Sequence, residues 1–253
     1  MPKPTVHIEL WGVRRELESD FEGTLAKVAE IGYEYVQFYG NFGGKTAAEV
    51  RAILDKHDLK CVASHQGAYL EPERNAQAVA FLRELGVKFC AIPSWPIEKL
   101  RPDNPGFADT VRLFKELVAL YRDNGIRLSY HNHEREFEKT ADGSTLMDNL
   151  LAAIPELDFE IDTCWAKYAG ADPAEYIKKY KGRVDIIHLK DYVPVEKSYK
   201  LCPVGHGIQD FPAILAAAER AGTKHIVVEQ DNCDGDVFVA HKASRDYLKG
   251  LGY

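Results

Sequence analysis

Asn124-Gly125-Ile126-Arg127-Leu128-Ser129-Tyr130-His131-Asn132-His133 decides how this chain is read. Residues 107–124 carry the spacing of an amphipathic helix, and Gly125 is the stop that such a helix end favours. Past the glycine the pattern changes to period two, with Leu128 and Tyr130 alternating with Ser129 and His131. A helix, a glycine, a short strand and then imidazoles at the strand's carboxyl end make one βα unit with its chemistry at one end.

The same grammar recurs in both directions at roughly 30-residue intervals. Strands are expected over residues 6–10, 35–39, 60–64, 88–92, 127–131, 158–162, 184–189 and 225–229. Helices are expected over 21–31, 47–57, 72–85, 107–124, 145–154, 173–181, 211–221 and 236–248, with Asp20 capping the first and glycines closing several. Eight strands and eight helices with no leftover segment predict an α/β fold, a (β/α)8 TIM barrel forming a single domain over residues 1–253. An open doubly wound sheet fits less well, and no G-x-G-x-x-G follows the first strand. The longest irregular stretches, 94–106 and 192–209, fall on the face where barrel active sites sit.

Composition narrows the function. Apolar residues make up 45% of the 253, enough for one sizeable core, and the formal net charge is −7. That balance lacks the basic footprint of a nucleic-acid binder. The five cysteines, Cys61, Cys90, Cys164, Cys202 and Cys233, have no C-x-x-C spacing and suit a reducing compartment. Met1-Pro2-Lys3-Pro4-Thr5 runs into the first strand without a signal-peptide core, and no run reaches membrane-spanning length, so a soluble cytoplasmic protein is expected.

Alternation also tells which side chains enter the barrel. Ser129, His131 and His133 point inward, as do the carboxylates of Asp158-Phe159-Glu160-Ile161-Asp162. His188 and Lys190 follow between outward Ile187 and Leu189, and Glu229 ends the last strand on the inner side. Four consecutive strands thus end with His131, Asp162, His188 and Glu229 aimed at one axis. Burying that many ionisable groups requires mutual pairing or a cation. A polar network of histidines with neighbouring acids is the bland alternative, but four adjacent strand ends favour a divalent ion. Mixed imidazole and carboxylate ligands suit Mn, Co, Zn, Mg or Fe rather than Ca.

The segments Tyr130-His131-Asn132-His133 with Glu136-Phe137, Asp162-Thr163-Cys164-Trp165, His188-Leu189-Lys190-Asp191, Pro203-Val204-Gly205-His206-Gly207 and Val228-Glu229 resemble the xylose-isomerase-like barrel superfamily, in particular its sugar phosphate isomerase/epimerase branch. Asp20-Phe21-Glu22-Gly23-Thr24-Leu25 and Ile31-Gly32-Tyr33 extend the likeness to the first helix. The resemblance implies metal ligands Glu, Asp, His and Glu from strands five to eight. Asp162, His188 and Glu229 match the last three. His131 stands where many relatives have glutamate, so it is the expected fourth ligand, with Glu134 or Glu136 reaching back as the alternative. A homodimer is also compatible with barrels of this kind.

A metal holding a carbonyl and a neighbouring hydroxyl acidifies the C–H between them and stabilises an enediolate. The expected activity is a metal-dependent isomerase or epimerase of a small sugar, keto-sugar or polyol. A lyase or dehydratase of inosose or 3-keto-sugar type is the alternative, and a non-catalytic sugar-binding barrel the third. Glu229 and His133 are candidate bases, with Glu136 behind them. Lys190 either neutralises developing charge or pairs with Asp162 or Glu160. Trp11, Gln37, His65, Trp95 and Trp165 lie at or just after strand ends and are expected to line the substrate pocket, although each also reads as core packing. His206 is expected to close over the site, and Cys164 reads as a packed thiol. Asp210, Asp231, Asp234 and Asp236 crowd the loops where many barrels bind phosphate, which points to an unphosphorylated substrate. Abasic-site endonuclease chemistry, also found in the superfamily, fits the acidic balance poorly.

Overall fold

In the first strand, β1 (Thr5–Glu9), Val6 and Ile8 pack outward into the apolar shell while His7 and Glu9 are also buried. Both faces are covered, which is the condition for a parallel strand inside a barrel. The computed structural model describes residues 3–196 and 198–253; Met1 and Pro2, read above as the lead into the first strand, and Lys197 lie outside the described residues.

Seven further strands close the barrel: β2 (Tyr35–Phe38), β3 (Lys60–His65), β4 (Phe89–Ile92), β5 (Arg127–His131), β6 (Asp158–Asp162), β7 (Ile186–Leu189) and β10 (His225–Val228). Each pairs in parallel with its neighbours, and β1 joins β10 to β2. Between them run the outer helices α2 (Phe21–Glu30), α3 (Ala47–Lys56), α4 (Pro72–Leu85), α5 (Gly106–Asp123), α6 (Leu146–Ala153), α8 (Pro173–Lys179), α9 (Phe211–Ala221) and α10 (Val237–Gly250). The chain is therefore a closed eight-stranded TIM barrel, as expected. No helix among the described residues is long and apolar enough to cross a membrane.

The apolar interior is divided. The large cluster lies between strands and helices and includes Leu25, Val50, Leu82, Phe114, Leu150, Ile177 and Leu215. Each such side chain contributes roughly 1.5–3 kcal/mol on burial. Inside the barrel Ala63, Ile186 and Val227, backed by Phe89, form a small apolar plug. Polar side chains occupy much of the remaining interior, including His65, His131, Glu160 and His188.

Several elements are additional to the expected eight units, among them 3-10 turns at Ile97–Leu100 and Arg135–Phe137. A 3-10 turn (Leu10–Val13) and α1 (Arg14–Ser19) follow β1, and α7 (Thr163–Tyr168) follows β6 directly. The stretch read as irregular over 192–209 contains an antiparallel hairpin of β8 (Asp191–Val195) and β9 (Ser198–Cys202). Pro194 obscured this strand in the sequence, because a hairpin with free edges tolerates proline where a central strand does not. Below the hairpin, Asp191 accepts hydrogen bonds from the amides of Tyr192, Gly205, Gly207 and Gln209. A β-carbon on Gly207 would collide with Asp191 and the Tyr192 carbonyl, so this turn requires glycine there.

Candidate metal centre

The stagger of the strands sets the site. Pairing of β5 with β6 places His131 level with Glu160, whereas pairing of β6 with β7 places His188 level with Asp162. Glu160 and Asp162 lie two residues apart, hence on the same face and on two levels along the axis, about 6–7 Å apart at the backbone. The imidazoles of His131 and His188 reach both levels. Nδ1 of His131 lies 3.3 Å from Glu160 Oε1 and its Nε2 lies 3.9 Å from Asp162 Oδ2. Nε2 of His188 lies 3.0 Å from Glu160 Oε1 and its Nδ1 lies 2.8 Å from Glu229 Oε2. Nε2 of His65 approaches Glu160 Oε1 to 2.5 Å.

Two overlapping sets of four have ligand atoms mutually within 4.8 Å: His131, Asp162, His188 and Glu229 above, and His65, His131, Glu160 and His188 below. The upper set is the one expected from the strand ends. All six residues are buried.

Asp162 illustrates how the chain presents a ligand. Its Oδ1 accepts from the amides of Cys164 and Trp165, capping α7, and the Asn132 side chain accepts from the Asp162 amide. The carboxylate is thereby fixed, and Oδ2 receives no hydrogen bond. Lys190 Nζ stands 3.3 Å from that oxygen, 3.3 Å from Glu229 Oε2 and 2.8 Å from Asp231 Oδ2. The expected alternative of an ion pair from Lys190 to Asp162 is thus present, while Glu160 pairs with histidines instead.

The charges are ordered by their neighbours. Burial works to discharge His188, but Glu160 and Glu229 outweigh it and hold the ring charged well above the usual imidazole range. His131 moves the other way: burial, reinforced by His188, drives its pKa well down and keeps it neutral. Burial opposes ionisation of Glu160 and Glu229, yet His188 with His65 at the first, and Lys190 with His188 at the second, hold both well below the usual carboxylate range. Ligation needs neutral imidazoles and ionised carboxylates, so His131, Glu160 and Glu229 already have the required form, whereas His188 must give up a proton to an arriving cation.

Above the cluster lies a cavity of ≈ 380 Å³ lined among others by Trp11, His65, His131, His133, Glu229 and Asp231. The structure therefore gathers Trp11, His65, His133 and Glu229 around one space. Trp165 is buried at the margin, its ring 6.0 Å from that of His133 and 5.0 Å from Lys190 Nζ, with Nε1 lacking a hydrogen-bond partner. Four other expected residues stand apart from the cavity lining. Gln37 is buried, with Nε2 donating to both Glu160 carboxylate oxygens at 3.3 Å and Oε1 3.1 Å from His188 Nε2. Trp95 turns to the outer shell, donating Nε1 to Thr110 and packing on Phe114. Glu136 accepts from the Tyr130 hydroxyl and the His133 amide, so both oxygens anchor the loop after β5. His206 is exposed at the turn below the hairpin.

Three residues of the centre take roles that the sequence pattern does not give them. Glu160 points inward as alternation requires, but its histidine partners depend on stagger. Asp231 follows the last strand and holds Lys190. Glu9 is fully buried with neither oxygen hydrogen-bonded, and burial together with Glu229 drives its pKa well above the carboxylate range. The alternation His7, Glu9 at the end of the first strand was the available signal.

Comparison with known proteins adds four findings. Residues 25–251 match the family described as xylose isomerase-like TIM barrel. The chain is 22% identical to an inosose dehydratase from Bacillus thuringiensis (strain Al Hakam) over 271 aligned positions, covering 92% of this chain and 90% of that protein. Its fold is similar to a crystal structure of a sugar phosphate isomerase/epimerase from Parabacteroides distasonis ATCC 8503, with a TM-score of 0.81, 22% identity and coverage of 98% and 94%. It is also similar to the IOLI protein with a bound zinc atom, at a TM-score of 0.71, 14% identity and coverage of 98% and 97%.

Proposed function

Because the chain belongs to the xylose isomerase-like TIM barrel family, we propose that it is a divalent-metal-dependent isomerase or epimerase of a small sugar, keto-sugar or polyol. One observation carries the proposal: Asp162 Oδ2 is buried, free of hydrogen bonds and grouped with His131, His188 and Glu229 directly under a substrate-sized cavity. That oxygen has beside it only the Lys190 ammonium, 3.3 Å away and shared with Glu229 and Asp231, so it remains available to an ion and the donor set fits a metal. His131, Asp162, His188 and Glu229 would hold the ion. Bound there, an ion such as manganese supplies Lewis acidity that lowers the pKa of a C–H beside a substrate carbonyl.

The protein's own groups do the rest. His133 and Glu229 face the same cavity and are the candidate bases for moving the proton between carbon faces. Lys190 is a buried, permanently charged ammonium beside Glu229 and stabilises negative charge developing nearby. Trp11, beside the edge of Tyr39, offers an aromatic wall to the C–H face of a sugar. Glu136 acts on this site through the His133 backbone.

Asp210 and Asp236 cap α9 and α10, so the helix starts after the last two βα strands carry carboxylates where a phosphate would bind. An unphosphorylated substrate follows. A small-molecule partner, no nucleic acid, a cytoplasmic location and a homodimer complete the proposal.

The dehydratase reading has its own support, the inosose dehydratase relative that matches over nearly the whole chain. Both readings share C–H cleavage and part at the next step. Proton NMR in D2O with manganese, on ketoses and keto-inositols, separates them. Deuterium uptake with a new stereoisomer supports epimerisation, and loss of water supports the dehydratase. No metal-dependent exchange with any member of the panel would sink both, leaving a sugar-binding barrel.

A further inference from the structure

We propose that the lower set, His65, His131, Glu160 and His188, is a second cation site, closed and nitrogen-rich, lying beneath the upper site and sharing two imidazoles with it. The strand stagger creates it. His131 turns Nε2 toward Asp162 and Nδ1 toward Glu160, while His188 turns Nδ1 toward Glu229 and Nε2 toward Glu160. Each shared ring therefore presents a different nitrogen to each level. His65 Nε2 adds the third nitrogen at 2.5 Å from Glu160 Oε1. His131 Nδ1 is buried, has no hydrogen-bond partner and is aimed into this lower group.

The two sites differ chemically. The upper one offers two carboxylates and two imidazoles below an open cavity, which suits an ion that keeps exchangeable positions, such as manganese. The lower one offers three imidazole nitrogens and one carboxylate, four donors of the number and type that suit zinc or cobalt. Filling both at once would strip both ring protons from His131 and His188, so one ion occupies one level or the other. A zinc ion held low takes the shared imidazoles without reaching the substrate. Zinc then silences the enzyme that manganese activates.

The lower site shares ligands with the proposed catalytic set but does not depend on its activity, and paired variants separate them. Asp162→Asn with Glu229→Gln disables the upper level, and His65→Gln with Glu160→Gln disables the lower. Cobalt titration of the upper-disabled protein is expected to give one ion per chain with the intense visible absorption of four-coordinate cobalt. The lower-disabled protein is expected to keep manganese binding and to lose that absorption. A folded upper-disabled protein that takes up no cobalt overturns the proposal. Should that variant not fold, anomalous scattering from wild-type crystals decides: zinc between His65 and Glu160 supports it, and zinc between Asp162 and Glu229 overturns it. A lower-disabled protein that binds no manganese instead counts against the catalytic assignment of the upper set.

Discussion

Nδ1 of His188 lies 2.8 Å from Oε2 of Glu229. Because the opposite nitrogen of the same ring meets Glu160, His188 is the positive charge between two buried carboxylates from different strands. His188→Ala removes the nearest partner of Glu229 and leaves Glu160 to His65 and His131. Breaking a buried ion pair from one side typically costs 3–5 kcal/mol, so denaturant unfolding should show a loss of about that size. Metal titration should show affinity lost along with it. A variant as stable as wild type would mean that Lys190 and water suffice to neutralise the group.

Asp162 divides its two oxygens between folding and chemistry, and substitutions can separate them. Asp162→Asn retains an oxygen that can cap α7 and loses the charge at Oδ2. Its stability should fall by less than about 1 kcal/mol, while metal affinity falls at least 10-fold. Asp162→Ala removes the cap as well and should cost a further ~0.5–2 kcal/mol. Calorimetric metal titration and chemical denaturation on the pair give both numbers. Equal stability of the two variants would rule out the capping role.

Glu136 distinguishes a catalytic carboxylate from an anchoring one. With its oxygens bound by Tyr130 and His133, Glu136→Ala leaves a buried hydroxyl and a backbone amide unpaired, a loss of about 1–3 kcal/mol. Glu136→Gln keeps one acceptor and should recover much of that stability together with most of the turnover. A stable Glu136→Gln protein with activity reduced more than about a thousandfold would return Glu136 to the reacting groups, since a general acid or base is worth about that much.

The elements legible in the sequence were those where local signals coincide with tertiary fate. β5, β6, α4 and α9 have the bounds expected of them, because period-two runs or strong helix starts and glycine stops mark both ends. Direction was legible wherever a residue lay within a strand: His131, Asp162 and His188 converge as alternation required. Beyond the strand end alternation no longer holds, so Trp95, Glu136 and His206 could not be aimed from sequence. Glu9 and Glu160 acquire their neighbours from barrel closure and stagger, which depend on pairing between strands far apart in the chain. Asp158, also read as inward, lies at the other end of β6, where Arg127 binds it at 2.7 and 2.9 Å.

His241 on α10 gives the barrel an acid sensitivity separate from the metal centre. The ring is fully buried, neither nitrogen has a hydrogen-bond partner, and burial lowers its pKa from 6.5 to about 4. Below pH 6.5 the unfolded chain takes up a proton that the folded one refuses, so acid favours unfolding. The stability present above pH 6.5 is lost progressively as pH falls toward 4, by on the order of 3 kcal/mol in total. His225, lowered to about 4 mainly by burial, acts with the same sign, so the comparison must be differential. His241→Leu should reduce the slope of unfolding free energy against pH between 6.5 and 4.5 by up to about 1.4 kcal/mol per pH unit. Urea unfolding of both proteins at four or more pH values measures it, and parallel curves would show that His241 takes no part in the acid response.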